Sequence, residues 1–324
     1  MNDSPADPTP SNPALFDLVC VGEALLELNQ QGEGSLGQRA YREGHGGDAS
    51  NVAIAAARQG ARVAFVSAVG DDMAGHSFLD LWRRESVDSS AVVIDADHST
   101  GLYFVSYDEA GHHFSYLRRG SAASHHVLDT VGRRIIEGSQ ILFASGISLG
   151  IADRAADATF DAMALARSAG RRVAFDTNFR PKLWPRQRAS GVIQQGLRAA
   201  DIAFPGLEDM RLLVEIADPD AIVDLCLSLG PRIVVLKMGP AGAIVATPNC
   251  RWRVTAFPCH PIDATGAGDT FCGSFLARLV AGSDLAAAAR HAACAAALST
   301  TGYGAVPPIP TLAAVVKALA NTEG

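Results

Sequence analysis

The chain lacks any run of about 18 uninterrupted apolar residues, so it offers no transmembrane helix. It also lacks a lysine- or arginine-rich stripe. Its 27 basic residues are outnumbered by 34 acidic ones, and a net charge of −7 argues against a nucleic-acid partner. Basic doublets such as Arg133–Arg134 and Arg171–Arg172 read as solvated faces. The six cysteines, at 20, 226, 250, 259, 272 and 294, show no zinc-finger spacing. A chain of this size needs no disulfide staples, so free thiols in a reducing, cytoplasmic setting are expected. Residues 1–13 carry Pro, Asp, Asn and Ser but no apolar stretch, which predicts a disordered tail and not a signal peptide. What remains is 324 residues, 48% hydrophobic and 19% charged, enough for a large buried core. A single domain over 14–324 is expected.

Apolar strand-like runs recur at Asp17–Leu28, Arg62–Val69, Gln140–Ala144, Arg172–Asp176, Asp201–Phe204 and Arg232–Lys237. Helical stretches alternate with them at Ser50–Gln59, Ala74–Glu85, Asp153–Ser168, Gln187–Arg198 and Asp218–Leu229, the first with Asp48 or Ser50 as its N-cap. This alternation predicts an α/β core in three layers, with a mostly parallel sheet covered on both faces. Two segments break the rhythm, about 27–44 and 91–117. In the second, Gly101–Ser106 and His113–Leu117 flank Asp108-Glu109-Ala110-Gly111, which is hairpin chemistry. Together these segments predict a small antiparallel β lid inserted into the core.

The run with most chemical content is Asp263-Ala264-Thr265-Gly266-Ala267-Gly268-Asp269-Thr270-Phe271. Glycines let backbone N–H groups face an anion without Cβ obstruction, and a helix start adds its positive end. Such a turn suits charge developing on a transferred phosphoryl group, and Asp269 stands where a base could take a hydroxyl proton. The same run also reads as a tight turn with Asp269 as an N-cap. A dinucleotide-binding fingerprint fails on spacing, and a Walker A loop fails for want of a lysine after the glycines.

The D-A-T-G-A-G-D-T-F run resembles a signature of the ribokinase-like (PfkB) carbohydrate kinases. That family's other signature is similar to Gly46-Gly47-Asp48-Ala49-Ser50-Asn51, followed by a helix and Val69-Gly70-Asp71-Asp72-Met73-Ala74-Gly75. The resemblance spans about residues 17–310 and implies a ribokinase-like fold and an ATP- and Mg2+-dependent sugar kinase. By it, Asp269 corresponds to the catalytic base and Gly266, Ala267 and Gly268 to the anion hole. Gly46, Gly47, Asp48 and Asn51 would line the sugar site, and Lys237, Gly239 and Gly242 would lie beside the nucleotide. Asp263 and Thr265 fall where many members bind a monovalent cation, K+ among them. Two positions depart from the family pattern. Gly206 replaces an asparagine linked to magnesium, leaving Glu208 or Asp209 to act through water, and the helix at His291–Cys294 lacks the asparagine often found near adenine.

Tyr103 falls on one strand of the proposed hairpin, and Tyr116 and Arg118 share a face of the other segment. Asp176-Thr177-Asn178-Phe179-Arg180 follows a core strand at the end where α/β sheets bind ligands. Two arginines, Arg118 and Arg180, suit a carboxylate, which guanidinium grips by charge-assisted hydrogen bonds. G-L-Y-F, Y-L-R-R-G-S-A, D-T-N-F-R-P-K-L-W and A-L-S-T-T-G-Y-G-A-V are similar to the 2-keto-3-deoxygluconate kinases. That resemblance assigns Tyr103, Tyr116, Arg118, Asn178 and Arg180 to a sugar acid. Fructokinases share part of the pattern and are the alternative. A nucleoside kinase and a non-catalytic sugar sensor stand further off. The histidine doublets at 112–113 and 125–126 read as loop residues, and Trp184 as packing. An exposed lid edge suits pairing with a second copy, a homo-oligomer through the lid.

Overall fold

The computed structural model describes residues 14–33, 39–108 and 111–321; the expected tail at 1–13 lies outside them. Thirteen strands form among the described residues: β1 (Phe16–Val21), β2 (Leu25–Glu33), β3 (Arg39–Gly46), β4 (Val63–Gly70), β5 (Val87–Asp95), β6 (Gly101–Asp108), β7 (Gly111–Leu117), β8 (Ser139–Ser145), β9 (Arg172–Asp176), β10 (Ile202–Phe204), β11 (Ile233–Lys237), β12 (Ala243–Ala246) and β13 (Arg251–Val254). Nine of them make one sheet in the order β13-β12-β11-β10-β9-β8-β1-β4-β5, and the other four make a second, β3-β2-β6-β7.

From β11 to β5 every pairing in the large sheet is parallel, while β12 and β13 add an antiparallel edge. Parallel strands buried on both faces read as unbroken apolar runs, and all eight residues of β4 are buried. Alternate residues of β1 serve opposite layers. Leu18 and Cys20 pack toward the helices Asp48–Arg58, Met73–Arg84, Ala267–Val280 and Leu285–Ser299. Val19 and Val21 pack toward Thr130–Glu137, Asp153–Ser168, Arg186–Arg198 and Pro219–Leu229. Strand order reverses at β1, whose neighbours are β4 and β8. An open α/β sheet leaves its ligand crevice at the carboxyl ends of the strands beside such a switch point.

The small sheet rises from that crevice. Its outer pairings, β2 with β3 and β6 with β7, are antiparallel, but β2 and β6 run parallel. Both follow strands of the parallel sheet, β1 and β5, and so leave it in the same direction. Asp108 and Gly111 face each other across the β6–β7 turn, as the hairpin reading requires. The segment expected to start the lid at 91 does not all belong there, because 91–95 complete β5 as an edge strand of the large sheet. The first helix also begins differently from expectation. Gly47 is its N-cap and Asp48 its first residue, while Ser50 lies inside the helix and accepts a hydrogen bond from Trp82 Nε1 at 2.9 Å. No described helix is long and apolar enough to cross a membrane.

Candidate active site

The helix Asp48–Arg58 starts directly after β3, and Gly47 makes the corner with φ of 98°. A side chain there would be strained by that angle and would also press on the Glu23 carbonyl and the Ala24 backbone. This corner points Asp48 and Asn51 into the crevice. The helix Ala267–Val280 starts at Gly266, in the left-handed region at φ of 75°, with no side chain capping it. The two helices cross at Gly273, where a Cβ would stand only 2.8 Å from that of Ala55. That approach lets Asn51 Nδ2 donate to Asp269 Oδ2 at 2.9 Å.

The two glycine runs, more than two hundred residues apart, therefore meet around one carboxyl group. Enclosure by the protein, and then the nearby carboxylate of Asp48, push the Asp269 carboxyl up to about 7, against the pull of the Asn51 hydrogen bond. Asp48 is buried and its carboxyl is also raised, first by burial. It accepts hydrogen bonds from Ser145 and from Asn178 Nδ2 at 3.0 Å, while its Oδ1 is buried with no protein partner. Of the expected anion-hole amides, that of Ala267 bonds the Ala264 carbonyl at 3.2 Å, closing the turn.

Tyr103 lies over Gly46, where a Cβ would come within 2.6 Å of its hydroxyl, and donates that hydroxyl to Glu27. Its ring is 5.6 Å from that of Tyr116, its register partner on β7. The Arg118 guanidinium is 5.3 Å from the Tyr116 ring centre and forms an ion pair with Glu23, at 9% and 1% side-chain exposure respectively. Burial and the charge of Arg180 hold Arg118 down at about 10. Arg180 is exposed, and its charge favours the ionised forms of Asp48, Asp209 and Tyr116. Of the two arginines expected to meet a substrate carboxylate, one is thus already matched by a protein carboxylate.

Other expected site residues are placed differently. Lys237 ends β11 with its ammonium turned inward to Asp176, not outward along the strand. Gly239 and Gly242 shape the β11–β12 turn, and a Cβ at Gly242 would meet the backbone of Ala256 at 2.9 Å. Asp263 commits both carboxylate oxygens to the loop, one to the amide and hydroxyl of Thr265 and the other to the amide of Gly304. Glu208 is exposed and paired with Arg211, whereas Asp209 accepts from the Phe179 amide at 3.1 Å. Among the described residues, no group of three His, Cys, Asp or Glu side chains is arranged to hold a metal ion. His113 lies on β7 and not in a loop, His125 stacks on His98 with ring centres 3.8 Å apart, and Trp184 packs against Gly150.

Glu23, Glu27, Ser145 and Cys272 are the members of this constellation that motif reading missed, and it gave Asp176 a place at the crevice but no partner. A cleft of about 520 Å³ runs beside it between the small sheet and the loop after Leu285–Ser299, lined by Glu27, Asn29, His45, Tyr303, Gly304 and Pro307.

The family profile described as pfkB family carbohydrate kinase matches residues 15–312. The chain is similar to the 2-dehydro-3-deoxygluconokinase of Thermoproteus tenax, 33% identical over 299 residues that cover 88% of each chain. It is also similar to probable fructokinase-7 of Arabidopsis thaliana, 29% identical with 94% of this chain and 93% of that one covered. A solved fructokinase with bound ATP from Xylella fastidiosa superimposes with a TM-score of 0.86 at 27% identity, covering 95% of this chain and 99% of that one.

Proposed function

The chain belongs to the pfkB family of carbohydrate kinases and is an ATP-dependent sugar kinase; from that premise we propose that its acceptor is a sugar acid, 2-keto-3-deoxygluconate. The observation that carries this reading is the clustering of Arg180, Arg118 and Tyr116, with the charge of Arg180 reaching Asp48, the carboxylate next to Asp269. The relative from Thermoproteus tenax supports it by name.

In this proposal Asp269 takes the proton of a primary hydroxyl, and that oxygen attacks the terminal phosphorus of ATP in line. A carboxyl poised near 7 suits a base working at neutral pH. Asn51 fixes the orientation of that carboxyl, and Asp48 offers its unpartnered oxygen to a second substrate hydroxyl. Gly46 and Gly47 let Tyr103 and the Glu23–Ala24 backbone close on the strand-to-helix corner that presents Asp48 and Asn51 to the sugar, and Asn178 holds Asp48 in place. The uncapped start of Ala267–Val280 offers the amides of Gly266 and Gly268 to the transferring group, while that of Ala267 closes the turn on Ala264. The nucleotide is placed along the β11–β12 turn with Gly239 and Gly242. Mg2+ would be held chiefly by ATP phosphates. The Asp263–Thr265 pair does not by itself fit K+, because Asp263 is already committed to its own loop.

One observation favours a second reading, phosphorylation of fructose. Glu23 cancels the charge of Arg118, which leaves Arg180 as the cation better placed to meet a carboxylate. A coupled ADP-release assay with Mg·ATP against 2-keto-3-deoxygluconate, fructose, ribose and adenosine tests both. Selective turnover of the keto-deoxy acid is expected. Preference for fructose would overturn the sugar-acid assignment while leaving the proposed base chemistry intact.

A further inference from the structure

We infer that Lys237 and Asp176 form a buried charge pair behind the phosphoryl-transfer helix whose task is to set the charge state of Asp269, which makes both of them positioning residues for the kinase reaction. The inference rests on the reading of Asp269 as the base.

The geometry is specific. Asp176 and Lys237 close β9 and β11, two parallel strands separated by β10, so both side chains emerge at the crevice end of the sheet. Lys237 Nζ is ion-paired with Asp176 Oδ2 and lies 3.5 Å from Cys272 Sγ. The Cys272 thiol in turn donates to the same Asp176 oxygen at 3.3 Å. Cys272 stands one helical turn beyond Asp269, and a Cβ at Gly268 would be 3.5 Å from the lysine nitrogen. The ammonium therefore lies directly under the first turn of Ala267–Val280. The side chain of Asp176 is 1% exposed and that of Lys237 17%, so neither charge is well screened by water.

The groups acting electrostatically on Asp269 come from three neighbouring elements. They are Asp48 and Asn51 on Asp48–Arg58, Asp176 on β9 and Lys237 on β11. Asp48 and Asp176 favour the protonated carboxyl, whereas Asn51 and Lys237 favour the ionised one. Asp209 also feels both Asp176 and Lys237, and Arg180 acts on Asp48 and Asp209. Burial lowers the proton affinity of Lys237, but the Asp176 carboxylate outweighs it and keeps the ammonium charged. The pair is nearly neutral as a unit. Removing one member exposes Asp269 to the bare charge of the other, and the two removals act with opposite sign.

The test is the pH profile of kcat/KM for the sugar at saturating Mg·ATP, measured on the full chain. Lys237→Met should move the acid limb upward by about one pH unit, a roughly tenfold loss of rate on that limb. Asp176→Asn should move it downward, and the double variant should return it close to wild type. A merely structural role predicts lost activity without opposite shifts and without that return. Folded variants whose acid limbs coincide with wild type would overturn the inference, as would a double variant that keeps the shift of either single one. If Lys237→Met does not fold, the downward shift in Asp176→Asn decides alone. Asp269→Asn, run in parallel, separates the two levels: turnover close to wild type would remove the base reading and this inference with it. Loss of turnover by several orders of magnitude together with unmoved limbs in the other variants would remove only the inference.

Discussion

Gly273 stands one helical turn beyond Asp269 with its back to the neighbouring helix, and a single methyl group there should damage both stability and turnover. Its added Cβ would stand 2.8 Å from Ala55 Cβ and 2.9 Å from the Ala56 nitrogen, and would also press on the Val52 carbonyl. Carbon atoms prefer separations of about 3.5–4.0 Å, so the helices Asp48–Arg58 and Ala267–Val280 must part by about 1 Å. Overpacking of this kind costs about 1–3 kcal/mol, whereas replacing a mid-helix glycine by alanine returns up to about 1 kcal/mol. Overpacking wins because two of the three contacts are backbone atoms that cannot rotate away. A net loss of about 1–2 kcal/mol corresponds to roughly 1.5–3 °C in Tm for a chain of this length. The same parting pulls Asn51 from Asp269, now 2.9 Å apart. A misplacement of about 1 Å in a catalytic group can cost roughly 100-fold in rate. Gly273→Ala should therefore melt lower and, fully folded at 25 °C, turn over far more slowly. Thermal unfolding and steady-state ADP release measure both. A variant as stable as wild type, with kcat within about twofold of it, would refute the argument that this crossing positions the base.

Arg118→Met should destabilise the fold by about 3–5 kcal/mol because it leaves the Glu23 carboxylate, 1% exposed, without its cation. Glu23→Gln combined with Arg118→Met should recover most of that loss, and a double variant no more stable than the single one in urea unfolding would contradict the ion pair. Asp269→Asn should stabilise the protein in a pH-dependent way. The folded chain binds a proton at Asp269 up to about pH 7, while the unfolded chain releases it near the ordinary carboxylate value, so stability falls as pH rises through that window. The Tm advantage of the asparagine variant should widen between pH 5 and 7 and then stay constant, and a gap independent of pH would show that the carboxyl is not raised.

The parallel strands were legible because burial on both faces leaves nothing but apolar residues to read, as in Val63–Gly70. Strand β5 was missed for the complementary reason. It is an edge strand whose burial alternates, and Asp88, Ser89 and Ser90 blur it into a loop. Turn chemistry announced the β6–β7 hairpin, because Asp108 and Gly111 are neighbours in sequence. The parallel pairing of β2 with β6 was not announced, since it depends on both strands leaving one end of a sheet that sequence periodicity does not orient. Nor did helix propensity find Gly47 as the cap, because the corner is set by contact with Glu23 and Ala24 twenty-odd residues upstream.

The site divides along the same line. Gly46, Gly47, Asp48 and Asn51 occupy one short run, and Gly266 to Asp269 another, so each could be read locally as an anion- or hydroxyl-binding turn. The charges that govern them could not. Lys237 and Asp176 are 61 positions apart, Cys272 and Asp176 96, and Asn51 and Asp269 218. Each carries its meaning only through its partner, and the ion pair of Lys237 with Asp176 could not be read from the lysine's own segment. One signal was nonetheless present in the chain. Glu23 follows the apolar run Leu18–Val21 almost at once, and so does Asp176 at the end of Arg172–Asp176. In a parallel α/β sheet a carboxylate at the carboxyl end of a core strand has been brought to the ligand crevice by the fold itself. That reasoning brought the segment Asp176–Arg180 to the crevice, and applied equally to β1 it would have found Glu23, and with it the sign of the charge that Arg118 was placed to meet.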